Sequence, residues 1–332
     1  KGMEAAVARL EQAIREREPI LIYGDYDADG TTAVVILKKA IERAGGHADY
    51  FIPDRFAHGY GIHEAVVERA AQNRIPLIIS VDTGIRAQRA LERAAQLGLD
   101  VIVTDHHLPE TALPPAFALV NPKQPDCPYP DKALSGAGIV FKLIQALFLR
   151  MGWSGQRLES LLDSFLKMVA IATIADVVPL VGENRVFVQR GLAALESVRN
   201  PGLKALLEAA GIEAGREISV RDVAFLLAPR INAAGRMATA SDVVELFLAE
   251  SEEQARAAAR RLDQWNAERQ KAETEVLQQI EQELAGETIG PARRGLVFAG
   301  RGWHQGVVGI VAGRLAERFY RPVFVLGVNP ET

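Results

Sequence analysis

Short, continuous apolar stretches alternate with helix-like stretches in the first third of the chain. The apolar stretches are uninterrupted by polar residues, as expected when helices cover both faces of a parallel sheet. The predicted order is helix 3–17, strand 19–24, helix 30–44, strand 48–52, helix 62–73, strand 77–81, helix 84–98 and strand 100–104. The chain is therefore predicted to be an α/β protein with a doubly wound parallel sheet.

Acidic side chains follow three of these predicted strands, at the point where each strand ends. They are Asp25, Asp27 and Asp29 after PILIYG, Asp82 after PLIISV, and Asp105 with His106 and His107 after DVIVT. Because the carboxyl ends of neighbouring parallel strands share one crevice, these residues can converge there on a ligand. Carboxylate oxygens and imidazole nitrogens are ligands that Mg²⁺ and Mn²⁺ accept. The pattern predicts a metal-dependent hydrolase.

The segment DYDADGTT also matches the start of a calcium-binding EF-hand loop. The match fails at the position where that loop needs its bidentate Glu, because this chain has Ile36 there. A predicted strand, rather than a helix, precedes the segment. Three acids in so short a loop are costly unless a cation neutralises them. The structural alternatives are a solvated acidic turn or a helix cap by Asp29.

The other acidic positions also have structural alternatives. Asp82 precedes a predicted helix and could be its N-cap. The adjacent Asp105, His106 and His107 are unusual for a core and suit metal binding combined with proton transfer. Asp176 is a lone acid in the apolar run ATIADVVPL, so it needs a metal, a helix terminus or a cation as its partner.

Composition limits the compartment and the class of protein. The chain has 332 residues, a formal net charge of −4 and one cysteine, Cys127. This charge argues against a generally basic nucleic-acid coat but permits local basic grooves. A single cysteine excludes an internal disulfide and a cysteine zinc site, and no signal-like or membrane-length apolar segment is present. We therefore expect a cytoplasmic protein.

The last third of the chain predicts a second domain. Residues 251–285 lack Gly and Pro, are heavily charged and carry a narrow apolar stripe, which predicts a helix of about 50 Å. A solvent-exposed bridge fits this polarity better than a coiled coil, because the stripe has no regular heptad. We predict a domain with a helical insertion over 1–250, this connecting helix over 251–285, and the start of a smaller α/β domain over 286–332. Because the chain stops just after a predicted strand, we expect a fragment.

Several separated motifs, taken in order, resemble the DHH phosphoesterases and, within them, the RecJ family of single-strand-specific exonucleases. The matching segments are YGDYDADGTTA at 23–33, SVDTG at 80–84, TDHH at 104–107, SGAGIVFKL at 135–143, IATIADVVPL at 171–180, PRINAAGR at 229–236 and GWHQGVVGIVAGRL at 302–315. The resemblance spans nearly the whole chain. It implies a DHH domain followed by a DHH-associated substrate-binding domain.

The resemblance further implies a site for one or two Mn²⁺ or Mg²⁺ ions. The matching ligand positions are Asp27, Asp29, Asp82, His106 and Asp176. Asp82 would bridge two ions. Members that act on small substrates commonly carry His where this chain has Tyr23, and Asp25 is expected to compensate as a ligand. His107, with Asp105 beside it, is expected to assist the leaving group or bind phosphate.

The remaining motifs fit substrate binding. The candidate residues are Arg55, Ser135, Gly136, Gly138, Arg230, Asn232, Arg236, His304 and Gly306. Guanidinium groups bind phosphate bidentately, although a single arginine is more often part of a surface ion pair. The SGAG segment opens a helix whose free amides could bind an anion, or whose glycines could allow close packing. The turn at His304 resembles a phosphate-binding turn, but its glycine could serve backbone shape alone. Tyr60 and Trp303 could stack bases or pack in the core.

Our leading hypothesis is a metal-dependent exonuclease that degrades single-stranded DNA from 5′ to 3′ in DNA repair and recombination, with the polarity implied by the resemblance alone. The expected partners are single-stranded DNA, a single-strand-binding protein and a helicase. One alternative is a phosphodiesterase of short oligonucleotides, cyclic dinucleotides or pyrophosphate. Another is a DHH-like replication scaffold without catalysis, which the filled ligand positions disfavour.

Overall fold

The structure, a computed structural model, describes residues 1–285 and 293–328. Its main sheet has five parallel strands, in the spatial order β2-β1-β3-β4-β5. The strands are β1 Pro19–Tyr23, β2 His47–Phe51, β3 Leu77–Val81, β4 Asp100–Thr104 and β5 Ala118–Val120. The predicted parallel sheet is confirmed, and it has a fifth strand, β5, in the stretch rich in Pro and Asp at 109–132, where no strand was predicted. Three residues among prolines and acids are too few to show a strand pattern.

Helices cover both faces of this sheet, which explains why its strands are apolar throughout. One face packs on α1 Met3–Glu16, α2 Ala28–Arg43 and α5 Gly136–Arg150, and the other on α3 Glu64–Gln72 and α4 Gln88–Gln96. Successive residues of a strand point to opposite faces. Accordingly Ile20 and Ile22 of β1 belong to the first core, whereas Leu21 and Tyr23 belong to the second.

The strand order locates the crevice in which a ligand can bind. The chain passes from β1 outward to β2, and then returns to β3 on the other side of β1. In a doubly wound sheet, loops at such a reversal diverge and leave an opening beyond the carboxyl ends of the strands. The predicted acidic positions after β1, β3 and β4 all lie at this end.

A helical layer follows the sheet. Its helices are α6 Gly155–Ala175, α7 Gly182–Leu195, α8 Pro201–Ala209, α9 Val220–Asp222, α10 Ala228–Met237 and α11 Ser241–Leu248, with a π-helical turn at Val223–Leu227 between α9 and α10. Helices α6, α10 and α11 contact α2, which has Asp27 as its N-cap and Asp29 in its first turn. The layer therefore supports the crevice from the side of α2.

A helix of 32 residues, α12 Glu252–Glu283, connects this part to the end of the chain. Its first half packs on α8, α10 and α11 through Ala255, Ala258, Ala259 and Leu262. This half is therefore less exposed than the predicted bridge, because small alanines supply a buried stripe that its charged neighbours obscure in the sequence.

The second half of α12 packs on a βαβ unit made of β6 Leu296–Arg301, α13 Gln305–Phe319 and β7 Val323–Val328, in which β6 and β7 pair in parallel. The buried Glu273 carboxylate of α12 lies 2.9 Å from Arg269 Nη1 and 2.7 Å from Arg314 Nε of α13. The division into domains at 250 and 286 stays a prediction, and 286–292 lie outside the described residues. Among the described helices, none is long and apolar enough to cross a membrane.

Candidate metal centre

The loop between β1 and α2 places two carboxylates at the crevice. Asp27 is the N-cap of α2, where its side chain accepts a hydrogen bond of 2.9 Å from the amide of Gly30. Asp25 is buried and accepts a hydrogen bond of 2.8 Å from the amide of Tyr26. A Cβ at Gly30 would lie 2.6 Å from the Cβ of Asp25, so only glycine permits this approach. Burial and the neighbouring Asp27 raise the pKa of Asp25 to about 7.

Asp29, in the first turn of α2, is fully buried against the N-terminus of α5. Its two carboxylate oxygens accept hydrogen bonds from the amides of Gly136, at 2.6 Å, and Ala137, at 2.8 Å. Burial and the nearby Asp176 and Asp27 nevertheless raise the pKa of Asp29 well above its ordinary value. The helix dipole and the two amides stabilise a carboxylate that its acidic neighbours destabilise.

This contact changes the interpretation of the SGAG segment. The amides that we predicted to bind a substrate anion already bind Asp29. Ser135 is the N-cap of α5 and accepts a hydrogen bond of 3.1 Å from the amide of Gly138. A Cβ at Gly136 would lie 2.6 Å from an Asp82 carboxylate oxygen. The amides therefore bind a carboxylate of the chain itself, Asp29, and Gly136 allows close packing against Asp82. Both features serve the acidic cluster.

Asp82 follows β3 in a left-handed conformation, with φ of 61°, and is buried. A non-glycine residue there costs of order 1–3 kcal/mol, which persists only where the surroundings impose it. The Asp82 amide donates a hydrogen bond of 2.9 Å to the carbonyl of Thr104, which connects β3 to β4. Asp82 is not the cap of the following helix, because α4 begins only at Gln88.

The Asp82 carboxylate points into the acidic cluster. Its Oδ1 has no hydrogen-bond partner in the described part of the chain. Burial and the neighbouring Asp29, Asp27 and Asp25 raise its pKa well above the ordinary value. A buried carboxylate oxygen without a partner is costly, and a cation would remove that cost.

His106 lies among three of these carboxylates. Its Nε2 is 3.1 Å from Asp82 Oδ1, 3.6 Å from Asp176 Oδ2 and 3.9 Å from Asp29 Oδ2. Burial and the adjacent His107 lower the pKa of His106 to about 4, so the ring is neutral at physiological pH and does not form ion pairs. A neutral imidazole with a free nitrogen is the form that binds metals.

These side chains fit one or two divalent cations. The ligand atoms form three groups, and within each group they lie within 4.8 Å of one another. The groups are Asp25 with Asp27 and Asp82, Asp29 with His106 and Asp176, and Asp82 with His106 and His107. Asp82 and His106 each belong to two groups, as expected of residues between two neighbouring ions. Asp176 ends α6, and burial with Asp27 raises its pKa to about 6. The donor set of carboxylates and imidazole suits Mn²⁺ and Mg²⁺.

His107 and Asp105 form a separate pair at the edge of the cluster. Asp105 is buried and accepts hydrogen bonds from the amides of Ile85, at 2.9 Å, and His107, at 3.0 Å. His107 Nδ1 lies 2.7 Å from Asp105 Oδ1, and this hydrogen bond raises the pKa of His107. Burial alone would raise the pKa of Asp105, but the hydrogen bond and charge of His107 lower it. Asp105 thus positions His107 and leaves its Nε2 available.

Four of the predicted substrate residues meet where the loop after β2 faces α10 and α13. Arg55 donates from Nε to the carbonyl of Gly235, at 3.2 Å, and its guanidinium lies 4.0 Å from the centre of the Tyr26 ring. Arg236 donates to the carbonyl of Gly306, at 3.2 Å. His304 caps α13 by accepting a hydrogen bond of 3.0 Å from the Gly306 amide. Gly306 serves close packing, because a Cβ there would lie 2.0 Å from the Arg236 carbonyl oxygen.

Two other predicted substrate residues have structural partners instead. Arg230 donates to Asp263 of α12, at 2.8 Å, and to the carbonyl of Leu226. The Asn232 side chain accepts a hydrogen bond of 2.8 Å from the amide of Ala28, in the first turn of α2. Arg230 thus holds α12, and Asn232 orients the helix that carries Asp29.

Sequence reasoning missed several residues that shape the site. Gly30 and Gly235 allow close approach, and a Cβ at Gly235 would lie 2.3 Å from the Tyr26 carbonyl oxygen. The Tyr60 hydroxyl lies 3.3 Å from His107 Nδ1. Both glycines lie inside motifs that we quoted, so their positions were visible, but the backbones that they contact were not. Trp303, one of the two aromatic candidates, is buried in the core between α12 and the βαβ unit of β6, α13 and β7.

Several known proteins are similar to this chain in sequence and in overall fold. Residues 19–173 match the model of the DHH family, N-terminal domain. The chain is 43% identical over 335 residues to the single-stranded-DNA-specific exonuclease RecJ of Bacillus subtilis, covering 100% of this chain and 40% of that protein. It is 42% identical to the RecJ of Escherichia coli, covering 97% of this chain and 57% of that protein. The chain therefore spans about half the length of these relatives.

A solved structure is similar over almost the whole chain. It is an exonuclease RecJ bound to manganese, with 35% identity and a TM-score of 0.88, covering 98% of this chain and 80% of that one.

Cation binding should stabilise the protein through Asp82. With free Mn²⁺ at about a hundred times its Kd, the free energy of unfolding should rise by about 2.7 kcal/mol. In EDTA the Asp82→Asn variant should be more stable than wild type, because a repelled buried charge is removed, and it should lose most of the Mn²⁺ effect. Thermal denaturation measures both. Asp49→Asn, at an exposed position away from the site, is the control, and an Asp82→Asn protein that keeps the full Mn²⁺ effect would contradict the assignment.

The metal-free protein should lose stability as the pH rises toward neutrality. Folded Asp25 keeps its proton up to about pH 7, whereas its ordinary pKa is 3.8, so the folded state binds the extra proton between these values. The contribution of Asp25 to the free energy of unfolding is fully present below pH 3.8 and is lost as the pH rises through about 7. Urea unfolding in EDTA should show a loss of about 2–3 kcal/mol from Asp25 between pH 5 and 8, which Asp25→Asn abolishes. An unchanged pH dependence in the variant would show that Asp25 ionises normally.

Proposed function

This chain belongs to the DHH family and, within it, to the RecJ exonucleases, and from that premise we propose that it hydrolyses single-stranded DNA from the 5′ end. The convergence of Asp25, Asp27, Asp29, Asp82, His106 and Asp176 at one crevice carries the proposal. Those residues would hold one or two Mn²⁺ or Mg²⁺ ions. When bound, such ions supply Lewis-acid polarisation of the phosphoryl group.

The cluster itself disfavours catalysis without a cation. A phosphodiester carries a negative charge, and the buried carboxylates of Asp29 and Asp82 would repel it. A scaffold would have no need to keep these acids buried beside one another, with Asp82 in a left-handed conformation. Strained, charge-dense geometry of this kind is typical of a catalytic site.

In the proposed reaction His107 protonates the leaving oxygen. Its Nδ1 hydrogen bond to Asp105 fixes the ring and raises the His107 pKa, so that Nε2 can hold a proton near neutral pH. As water adds to phosphorus and the bond to the 3′ oxygen breaks, that oxygen takes up this proton. The water releases a proton to the solvent and His107 regains one from the solvent, so that the products are a 3′ hydroxyl and a 5′ phosphate. Asp105 acts through His107 and does not contact the reacting atoms.

In the proposed reaction Arg55 and Arg236 bind the terminal phosphate. Both guanidinium groups donate to backbone carbonyls and have no carboxylate partner in the described ranges, so their charges are available. They lie beside Tyr26, between the acidic loop after β1 and the turn at His304. Charge-assisted bonds from two guanidinium groups would fix the 5′ end relative to the metal centre.

The cellular setting follows from the substrate. A chain that acts only on single strands needs a process that separates duplexes, so we propose a role in repair and recombination beside a helicase and a single-strand-binding protein. The lone Cys127 is unpaired, which supports a reducing compartment such as the cytoplasm.

End-labelled single-stranded DNA tests the activity. With Mn²⁺ or Mg²⁺ the chain should release mononucleotides progressively from the 5′ end, and EDTA or Asp82→Ala should abolish the release. His107→Ala should lower kcat by about 10²–10⁴, whereas His47→Ala, an exposed histidine away from the site, should not. Duplex DNA cut as fast as single strands would contradict the proposed selectivity. Turnover of dinucleotides alone would support the small-substrate alternative, and a protein that binds no Mn²⁺ would support the scaffold.

Two arginines of α10 provide a matched test of the phosphate contact. Arg236→Gln should raise KM for a 5′-phosphorylated strand by about 10- to 100-fold, because a charge-assisted hydrogen bond contributes about 1.5–3 kcal/mol. Arg230→Gln should leave KM nearly unchanged, because Asp263 already neutralises Arg230. Steady-state kinetics with 5′-phosphate and 5′-hydroxyl strands measure the difference. Equal effects of the two substitutions would assign the loss to packing around α10.

A further inference from the structure

A cavity opens beside the metal centre, between residues 60–64, which follow β2, and residues 83–90, which follow β3. Its volume is about 650 Å³, within the range of ligand pockets. Asp105 and His107 form part of its wall, so it is continuous with the site of reaction. The opposite wall consists of the loop after β3 and the first turn of α4, including Thr83, Arg86 and Arg89.

Unneutralised positive charge lines this cavity. Arg86 is exposed and donates from Nε to the carbonyl of Leu108, at 2.9 Å, which fixes its direction without neutralising its charge. Arg89 is exposed and has no ion pair in the described part of the chain. Glu64 is the one carboxylate on this wall apart from Asp105, which His107 neutralises. The first turn of α4 has no side-chain cap, so its amides add further positive potential.

Thr83 supplies an independent sign that a polar ligand binds here. It lines the cavity, is 1% exposed, and its hydroxyl has no well-aligned hydrogen-bond partner in ranges 1–285 and 293–328, although the Tyr60 hydroxyl lies close to it. Buried hydroxyls are normally paired, so a ligand in the cavity would satisfy this one. Tyr60, which is half exposed, also lines the cavity, with its hydroxyl 3.3 Å from His107 Nδ1.

We propose that this cavity binds the DNA strand on the 3′ side of the scissile bond, with Arg89 and Arg86 contacting the phosphate that follows the second nucleotide. The inference rests on the proposed function. Arg55 follows β2 and binds the terminal phosphate at one side of the metal centre. The strand must then continue past the metal centre, and the cavity beside His107, between residues that follow β2 and residues that follow β3, is open to receive it. Its basic, polar lining suits a phosphodiester backbone.

Neighbouring arginines of α4 provide the test. Arg89→Gln removes the unpaired charge, whereas Arg93→Gln, one turn further along α4, removes a charge already paired with Glu68 at 2.8 Å. The substrates are a 5′-phosphorylated thymidine 12-mer and the 5′-phosphorylated dinucleotide, which lacks the phosphate that Arg89 would contact. Arg89→Gln should raise KM for the 12-mer by about 5- to 10-fold with kcat unchanged, and should leave the dinucleotide unaffected. Arg93→Gln should change neither substrate.

Binding separates failure of this inference from failure of the proposed function. With Mn²⁺ and a labelled 12-mer whose phosphorothioate linkages resist cleavage, fluorescence anisotropy should show weaker binding by Arg89→Gln but not by Arg93→Gln, with a shallower salt dependence for Arg89→Gln. Strand binding that depends on Arg89, without cleavage in any metal, would support the cavity and overturn the exonuclease. Cleavage and binding that are equal in the two variants, or a dinucleotide that is affected as much as the 12-mer, would overturn the cavity assignment.

Discussion

Mutual repulsion among buried carboxylates is the constraint on which the crevice depends. Asp25, Asp29 and Asp82 are each nearly inaccessible to water. Burial and the neighbouring acids raise the pKa of all three. Such a cluster persists only where other parts of the fold oppose the repulsion. The opposing elements are the N-terminus of α5, which donates two amides to Asp29, and the cores on both sides of the sheet.

Small residues surround the cluster because its parts lie so close together. Gly30, Gly136 and Gly235 each let a backbone or a carboxylate approach where a Cβ would collide. With carboxylates held this closely, a divalent cation gains several ligands without moving the backbone. Preorganisation of this kind lowers the cost of binding, since the ligands are already ordered and partly desolvated. Packing in the cores, away from the substrate, therefore offsets the free-energy cost of assembling the site.

The acidic positions could be predicted from the sequence because a parallel sheet makes geometry simple. Residues that follow β1, β3 and β4 must meet at one edge, whatever the loops do. The side chains on α5 and α10 could not be placed in the same way. The sequence does not show that the amide of Gly136 donates to Asp29. Nor does it distinguish Arg230, which pairs with Asp263, from Arg236. Such pairings depend on packing between helices, which local patterns do not encode.

The partners of the arginines distinguish structural from available charge. Arg93 and Arg230 are neutralised by acids, whereas Arg86 and Arg236 donate to backbone carbonyls, which fix the guanidinium but leave its charge. The available charges lie on both sides of an acidic centre. A polyanion that reached both would cross the carboxylates between them, where repulsion is strongest. Strand binding and cation binding are therefore coupled, because neutralising the centre removes the barrier between two surfaces that each attract phosphate.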